Sequence, residues 1–346
     1  MLIRLSCCFL LLSLGGDFLA SVGASGERNC VADDGATALS KKKPGVAGHG
    51  GKTSRRVMPL WPDGAPGAKG NATGDVPQLI LTIADSEAAT AGVVILPGGG
   101  YRMRAIDHVG YQIADWFKRL GVSSAICTYR VRGEGNQGRG YGHPYPMLDA
   151  QRAIQTMRAM SEEWNIDPDR IGVIGFSAGG HLAATVSTHF ADMREPEVQR
   201  LARTKVADDT VSRASSRPDF SILCYPVISF NAAHTHRGSQ KNLLGEGASE
   251  ELIESLSNEK QITSRTPPTF LFHTGADTVV PVDNSLAYYQ GCVAQGVQAE
   301  LHVFPEGRHG LGLSANLSGP SQWPALCEQW LRRRGIVGEP ENITVP

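Results

Sequence analysis

The sequence has little net charge and few long apolar runs, and both shortages restrict what the protein can be. Its 346 residues carry 33 Lys and Arg side chains against 34 Asp and Glu, a formal net charge of -1. A protein that binds nucleic acid by neutralising phosphates usually has a basic excess over a whole domain, and a disordered chain combines low hydrophobicity with high net charge. With 41% hydrophobic residues the chain fits neither class. We therefore expect a globular chain with a sizeable core and no nucleic-acid partner.

An apolar run near the N-terminus is too short to cross a bilayer. Residues 1–24 contain Arg4, an apolar run at 7–14 and small residues at 22–24. This arrangement is typical of a secretory signal peptide, whereas a transmembrane helix needs about 20 apolar residues. We therefore expect no integral membrane span, and a protein that is secreted or periplasmic. Asp17 weakens the pattern, and the alternative is a disordered leader.

The remaining chain divides by composition into three parts. Residues 25–57 are rich in Gly, Ala and Lys, with seven basic against three acidic side chains, and predict a flexible basic linker. Residues 58–336 have the texture of a folded domain, and 337–346 form a C-terminal tail. Cys127 and Cys224 lie in apolar runs and are expected to be buried, whereas Cys292 and Cys327 could pair in an oxidising compartment.

From residue 58 onward, short apolar runs alternate with amphipathic segments. The pattern predicts strands at 79–83, 93–96, 122–129, 171–176, 220–225, 269–274 and 299–304, and helices at 111–120, 147–164, 181–190, 284–295 and 323–333. Strands that alternate with helices indicate an α/β fold, with a mostly parallel central sheet and helices on both faces. Ligands and catalytic groups gather at the carboxyl ends of the strands in such a sheet.

Three residues at predicted strand ends have the chemistry of a catalytic triad. Residues 175–179 form a Gly-x-Ser-x-Gly turn between a strand and a helix, which holds Ser177 in a strained and accessible position. A serine hydroxyl needs a base to remove its proton, and the base needs an acid to orient it. Asp277 and His309 follow the next strands, which gives the chain order Ser, Asp, His of α/β-hydrolases. Asp283 and His302 are competitors, but the first is expected to cap a helix and the second lies within a strand.

A glycine run at an early strand end predicts an oxyanion hole. Residues 97–101 read Pro-Gly-Gly-Gly-Tyr, and such a run lets backbone N–H groups approach a developing negative charge. We predict that Gly99 and Gly100 supply donors together with the N–H of Ala178, which follows the nucleophile. A dinucleotide site is not indicated because the run lacks the Gly-x-Gly-x-x-Gly spacing. We expect neither a cofactor nor a metal.

Ten short segments together carry a resemblance to a known family. They lie at 61–67, 97–101, 107–110, 129–130, 149–153, 175–181, 217–220, 225–229, 266–269 and 309–310. They resemble α/β-hydrolase esterases of the bifunctional feruloyl and acetyl xylan esterase family, in the acetylesterase and lipase-like group. Hormone-sensitive-lipase-like relatives have His where Pro97 stands, which favours the carbohydrate-esterase branch.

The resemblance implies an α/β-hydrolase fold with a small insertion near the active site, at 229–265. It also implies a serine carboxylic-ester hydrolase that removes acetyl or other small acyl groups. The expected partner is a small acyl ester or an acylated polysaccharide of the xylan type.

Several residues near the predicted site have two interpretations. Tyr101 is either a wall of the acyl pocket or a core residue, and His181 is either a pocket residue or a structural one. His234 and His236 in the insertion suggest a pocket rim, because no third ligand accompanies their metal-like spacing.

Three other functions compete with ester hydrolysis. A serine peptidase of the oligopeptidase type normally needs an upstream gating domain, and a non-catalytic binding module would be expected to lack a triad member. A glycosidase needs two carboxylates that flank a sugar cleft, and no such pair is recognisable.

Overall fold

The computed structural model describes residues 55–190 and 209–338, which all belong to one compact unit spanning 52–346. The predicted signal peptide, nearly all of the linker and most of the tail lie outside the described residues and stay predictions. At the inner boundaries, the first strand begins at Arg56, and Val337 is buried against the core. Within the described residues, no helix has the length and apolar character that crossing a membrane requires.

Eight strands form one sheet. They are β1 (Arg56–Pro59), β2 (Gln78–Thr82), β3 (Thr90–Leu96), β4 (Ser123–Cys127), β5 (Ile166–Phe176), β6 (Ser221–Cys224), β7 (Thr269–Thr274) and β8 (Ala299–Phe304). Their spatial order is β1-β2-β4-β3-β5-β6-β7-β8. The pairings of β2 with β1 and with β4 are antiparallel, and every pairing from β4 to β8 is parallel. The mostly parallel sheet that the alternation predicts is therefore confirmed.

Helices cover both faces of this sheet. In the described part of the chain they are α1 (Gln112–Arg119), α2 (Tyr145–Ala159), α3 (Ala178–Thr188), α4 (Arg237–Leu244), α5 (Glu250–Ser255), α6 (Asp283–Ala294) and α7 (Trp323–Arg333). Successive side chains of a strand point to opposite faces. In β3, Val94 and Leu96 accordingly belong to the core cluster that includes residues of α2, α3 and α6, whereas Val93 and Ile95 belong to the cluster that includes residues of α1 and α7.

The fold differs from the sequence prediction in several features, and the bounds of β3, β5 and α2 also differ from the predicted ones by several residues. Strand β1 was not predicted, because its four residues carry no apolar alternation. Helix α3 begins at Ala178, three residues before the predicted start at 181. The first turn was not predicted because Gly179 and Gly180 are poor helix formers. The predicted insertion at 229–265, between β6 and β7, contains α4 and α5, which are short and weakly patterned.

A buried ion pair fixes the carboxyl end of β4. The Asp149 carboxylate accepts hydrogen bonds from Nε and Nη2 of Arg130 at 2.8 Å each and from the indole N–H of Trp61 at 2.9 Å. Neither charged side chain is exposed to solvent. The adjacent Tyr129 donates its hydroxyl to the carbonyl of Pro97 at 2.5 Å, directly before the glycine run. The ion pair therefore supports the loop that carries the predicted oxyanion hole.

Candidate active site

Ser177 lies on the sharp turn between β5 and α3. Its backbone has φ 56° and ψ −120°, a conformation that costs an L-residue energy and that the surrounding turn must enforce. A Cβ at Gly179 would overlap the carbonyl oxygens of Leu96 and Pro97, so only glycine fits where α3 passes β3. The backbone N–H of Ser177 donates to the carbonyl of Cys224 at 3.1 Å, which ties the turn to β6.

The three residues predicted to form the triad come together in one hydrogen-bonded chain. Nε2 of His309 lies 2.8 Å from Oγ of Ser177, and Nδ1 of the same ring lies 2.6 Å from Oδ2 of Asp277. The ring of His309 also packs edge-on against Tyr225, with the ring centroids 5.1 Å apart. The imidazole therefore has a fixed orientation between the hydroxyl and the carboxylate.

The Asp277 carboxylate is buried and held by several donors. Its Oδ1 accepts the backbone N–H groups of Val279 and Val280, each at 2.9 Å. Nε2 of the buried His273 donates to the carbonyl of Val280 at 2.9 Å and lies 3.6 Å from Oδ2. Burial by itself raises the pKa of the Asp277 carboxyl. The contacts with His273, with His309 and with the Val280 N–H outweigh burial and hold that pKa well below its usual value.

The competing acid and base lie elsewhere. Asp283 is exposed and is the first residue of α6, so the predicted N-cap role is wrong: Val282 occupies the N-cap position. The prediction failed because an acidic side chain is common both at the cap and in the first turn. His302 lies within β8 and is hydrogen-bonded to Glu300 at 2.9 Å.

The glycine run approaches the nucleophile closely. A Cβ at Gly98 would lie 2.6 Å from the carbonyl oxygen of Phe176 and 3.1 Å from Cβ of Ser177, so a side chain there would displace the serine. Gly99 and Gly100 follow on the wall of the same cavity. Asn242 of α4 donates its amide to the carbonyl of Gly100 at 2.8 Å, which anchors the run to the insertion.

Ala178 supplies a further N–H group beside the nucleophile. It is the first residue of α3, and the first N–H groups of a helix have no acceptor inside the helix. The residues predicted to form the oxyanion hole are thus the one after Ser177 and two glycines on the wall of the same cavity, and their role as donors stays a prediction.

A cavity of about 260 Å³ opens onto the nucleophile. Its wall is mostly apolar, and it includes one imidazole, that of His108, that the sequence prediction did not assign to it. The lining residues are Gly98, Gly99, Gly100, Ala105, His108, Val109, Phe176, Ser177, Tyr225, His236, Val279, His309 and Gly310.

Two of the residues predicted for the pocket belong to the core. Tyr101 has φ 57°, which turns its fully buried side chain inward, where its hydroxyl meets Nδ1 of His181 at 2.8 Å. Nε2 of His181 donates to the carbonyl of Leu256 at 2.9 Å, so Nδ1 is the acceptor for the Tyr101 hydroxyl. Burial lowers the pKa of His181 to about 3. The pocket role predicted for Tyr101 and His181 is therefore corrected to a structural one.

The third predicted pocket residue, His234, lies outside the cavity wall. His234 does not line the cavity, and its carbonyl accepts a hydrogen bond from Asn284 at 3.1 Å. His236 lines the cavity instead. Within the described residues, no group of three His, Cys, Asp or Glu side chains could hold a metal ion. Cys292 and Cys327 are buried free thiols, so the pairing considered for them is absent from the structure.

Comparison with known proteins identifies relatives of the chain. The BD-FAE family profile matches residues 80–291, more than half of the chain. An acetylxylan esterase from Xylanibacter ruminicola is 32% identical over 259 residues, which cover 74% of this chain and 48% of that protein. An endo-1,4-beta-xylanase B from Butyrivibrio fibrisolvens is 31% identical over 268 residues, which cover 76% of this chain and 39% of that protein. The chain thus spans half or less of the length of these curated relatives.

Solved structures extend the comparison to the fold. The crystal structure of an acetyl ester-xyloside bifunctional hydrolase from Caldicellulosiruptor lactoaceticus has a TM-score of 0.73 and 42% sequence identity, and the match covers 84% of this chain and 100% of that chain. An esterase from Thermogutta terrifontis has a TM-score of 0.64 at 23% identity, covering 83% of this chain and 95% of that one. At that identity the likeness shows the fold alone.

The sheet order, the serine turn and the hydrogen-bonded Ser, His and Asp side chains define an α/β-hydrolase fold, as predicted. Within that class, the chain belongs to the BD-FAE family.

Proposed function

We propose that the protein is a serine carboxylic-ester hydrolase that removes acetyl or other small acyl groups from xylan-type carbohydrate esters. The observation that carries the proposal is the hydrogen-bonded chain from Ser177 through His309 to Asp277, at 2.8 and 2.6 Å. The acetylxylan esterase among the relatives and the acetyl ester-xyloside hydrolase among the solved structures support the substrate class.

The reaction follows from the groups at the site. His309 takes the proton of Ser177 as Oγ attacks the ester carbonyl, and Asp277 holds the imidazole in the tautomer that leaves Nε2 free to accept it. Backbone N–H groups of Ala178 and of the Gly99–Gly100 peptides stabilise the tetrahedral oxyanion, each donor lowering the barrier by about 3 kcal/mol. His309 returns the proton to the leaving alcohol, and water then hydrolyses the acyl-enzyme by the same steps in reverse order.

The cavity favours ester hydrolysis over cleavage of a glycosidic bond. A glycosidase needs two carboxylic acids on either side of the scissile bond. The residues that line the cavity include no Asp or Glu. The chain covers 39% of the relative that is named a xylanase, so most of that protein lies outside the match.

The test compares the wild type with Ser177→Ala, using Ser86→Ala as the matched control because Ser86 is exposed and does not line the cavity. We expect Ser177→Ala to lose nearly all hydrolysis of p-nitrophenyl acetate and of acetylated xylan, and to lose labelling by a fluorophosphonate. Ser86→Ala should match the wild type. Activity of Ser177→Ala within a few-fold of the wild type would end the proposal.

Two further outcomes would favour the competing functions. A wild-type protein that a fluorophosphonate does not label would point to a non-catalytic binding module. Faster cleavage of peptide p-nitroanilides than of acetyl esters would point to a peptidase.

We also propose that the protein is exported, on the basis of the N-terminal pattern at 1–24. Sequencing the N-terminus of protein recovered from the medium or periplasm of an expressing host tests this. A mature N-terminus near residue 25 is expected, and an intact N-terminus on protein retained in the cytoplasm would contradict it.

A further inference from the structure

The wall of the catalytic cavity carries two imidazole side chains that the proposed mechanism does not use, those of His108 and His236. Hydrogen bonds fix the ring orientation of His236. Most of the lining is apolar, with Ala105, Val109 and Val279 among its members. The Tyr225 hydroxyl already accepts the N–H of Gly312 at 3.0 Å. His236 enters the same cavity from the loop before α4, and no acidic residue lines that cavity.

The hydrogen bonds of His236 settle which ring nitrogen carries a proton. Its Nδ1 accepts the backbone N–H of Ser239 at 3.2 Å and faces the hydroxyl of the same serine at 2.8 Å, which makes His236 the N-cap of α4. A backbone N–H can only donate, so Nδ1 is unprotonated and the neutral ring carries its hydrogen on Nε2. Burial lowers the pKa of His236 and the nearby His309 lowers it further, which together outweigh the raising effect of Asp277. Among the described residues, Nε2 has no hydrogen-bond partner.

The donor is held at a fixed place relative to the reacting groups. Helix α4, which His236 caps, also contains Asn242, whose amide binds the carbonyl of Gly100 at 2.8 Å. The hydroxyl of Ser239 would lie 4.0 Å from a Cβ at Gly100. The same short helix therefore fixes both the free Nε2–H and the glycine run beside the nucleophile.

We propose that Nε2–H of His236 donates a hydrogen bond to a hydroxyl or ring oxygen of the alcohol part of the ester, and so favours acylated sugars over esters of simple alcohols. The inference rests on the proposed ester hydrolysis. Backbone N–H groups take the carbonyl oxygen of the reacting ester, and an acetyl group has no other acceptor. A sugar alcohol offers several hydroxyl and ring oxygens next to the ester, whereas a simple alkyl alcohol offers none and a p-nitrophenyl group has only nitro oxygens at the far end of its ring.

Two substitutions separate the donor from the helix cap. Asn at position 236 caps a helix well, but its amide reaches only about as far as Nδ1, so His236→Asn keeps the cap and loses the donor. The amide of Gln reaches about as far as Nε2, so His236→Gln keeps the donor and weakens the cap. His234→Asn is the matched control, because His234 lies in the same loop and does not line the cavity.

The readout is kcat/KM for two esters with the same acetyl group, an acetylated methyl xyloside and p-nitrophenyl acetate. For His236→Asn we expect the ratio of sugar ester to aryl ester to fall about tenfold from the wild-type ratio. His236→Gln should keep the ratio within about threefold but have a lower Tm, and His234→Asn should keep the wild-type ratio.

Three outcomes would overturn the inference. They are a wild-type ratio in His236→Asn, an equal fall of the ratio in both His236 variants, or the same fall in His234→Asn. A wild type that hydrolyses neither ester would instead refute the proposed function, which distinguishes the two failures.

Discussion

The substitution Asp277→Asn tests how the imidazole is held, because the two carboxylate oxygens have different partners. Oδ1 accepts two backbone N–H groups, from Val279 and Val280, each at 2.9 Å, whereas Oδ2 accepts from Nδ1 of His309 at 2.6 Å. Backbone N–H groups cannot accept, so a carboxamide at position 277 must turn its oxygen toward them and its NH₂ toward His309. The NH₂ then donates to Nδ1, which forces the ring proton onto Nε2, 2.8 Å from Oγ of Ser177.

A protonated Nε2 cannot take the proton of the serine, so the variant loses its general base while the site keeps its shape. We expect kcat to fall about 10⁴-fold, which corresponds to about 5 kcal/mol of barrier. KM should change less than about threefold, because Asp277 does not line the cavity. The rates of p-nitrophenyl acetate hydrolysis and of fluorophosphonate labelling measure the effect.

The matched control is Asp283→Asn, which makes the same change at an exposed position in the first turn of α6. It should retain the wild-type kcat. A kcat for folded Asp277→Asn above about a tenth of the wild-type value would refute the assignment of the tautomer to Asp277.

Three further predictions concern the groups that support the site. Gly179→Ala should abolish most activity or soluble expression, since its Cβ would overlap the Leu96 carbonyl oxygen; retained wild-type kcat and Tm would contradict this. Asp149→Asn should lower the free energy of unfolding by about 3 to 5 kcal/mol in urea, because it leaves Arg130 buried and unpaired, and a loss below about 1 kcal/mol would be inconsistent with a tight pair. The pKa of the buried His181, lowered to about 3 from an ordinary 6.5, means that the unfolded chain binds a proton below pH 6.5 that the folded one does not. Wild-type stability should therefore fall with decreasing pH between about 6.5 and 3, more steeply than in His181→Gln by about 1.4 kcal/mol per pH unit, and equal slopes in urea titrations would contradict the burial of a neutral ring.

The triad could be predicted from the sequence because each member follows a strand. Strands β5, β7 and β8 lie in the same half of the sheet and run parallel, so their carboxyl ends lie along one edge. A residue that follows one of these strands is therefore expected at that edge of the sheet. Ser177, Asp277 and His309 have such positions, and the structure brings them into hydrogen-bond contact.

The pocket could not be predicted with the same accuracy, because its walls come from segments without that ordering. Tyr101 follows the glycine run directly, but its positive φ turns the side chain into the core, and adjacency along the chain says nothing of that turn. The choice between His234 and His236 depended on where α4 begins, and the sequence of the insertion does not indicate that helix clearly.

Three of the segments that resemble the esterase family lie outside the triad but share one structural role, which is to support the glycine run. Trp61, Arg130 and Asp149 come from three of the segments that resemble the esterase family, and the structure joins them in one buried cluster. Arg130 is held by its ion pair, so the neighbouring Tyr129 is held as well, and its hydroxyl binds the Pro97 carbonyl at 2.5 Å. Pro97 precedes the glycines that approach Ser177. Residues that are far apart in the chain and remote from Ser177 thus set the position of a few backbone N–H groups beside it. A displacement of about 1 Å at a reacting site is costly for the rate.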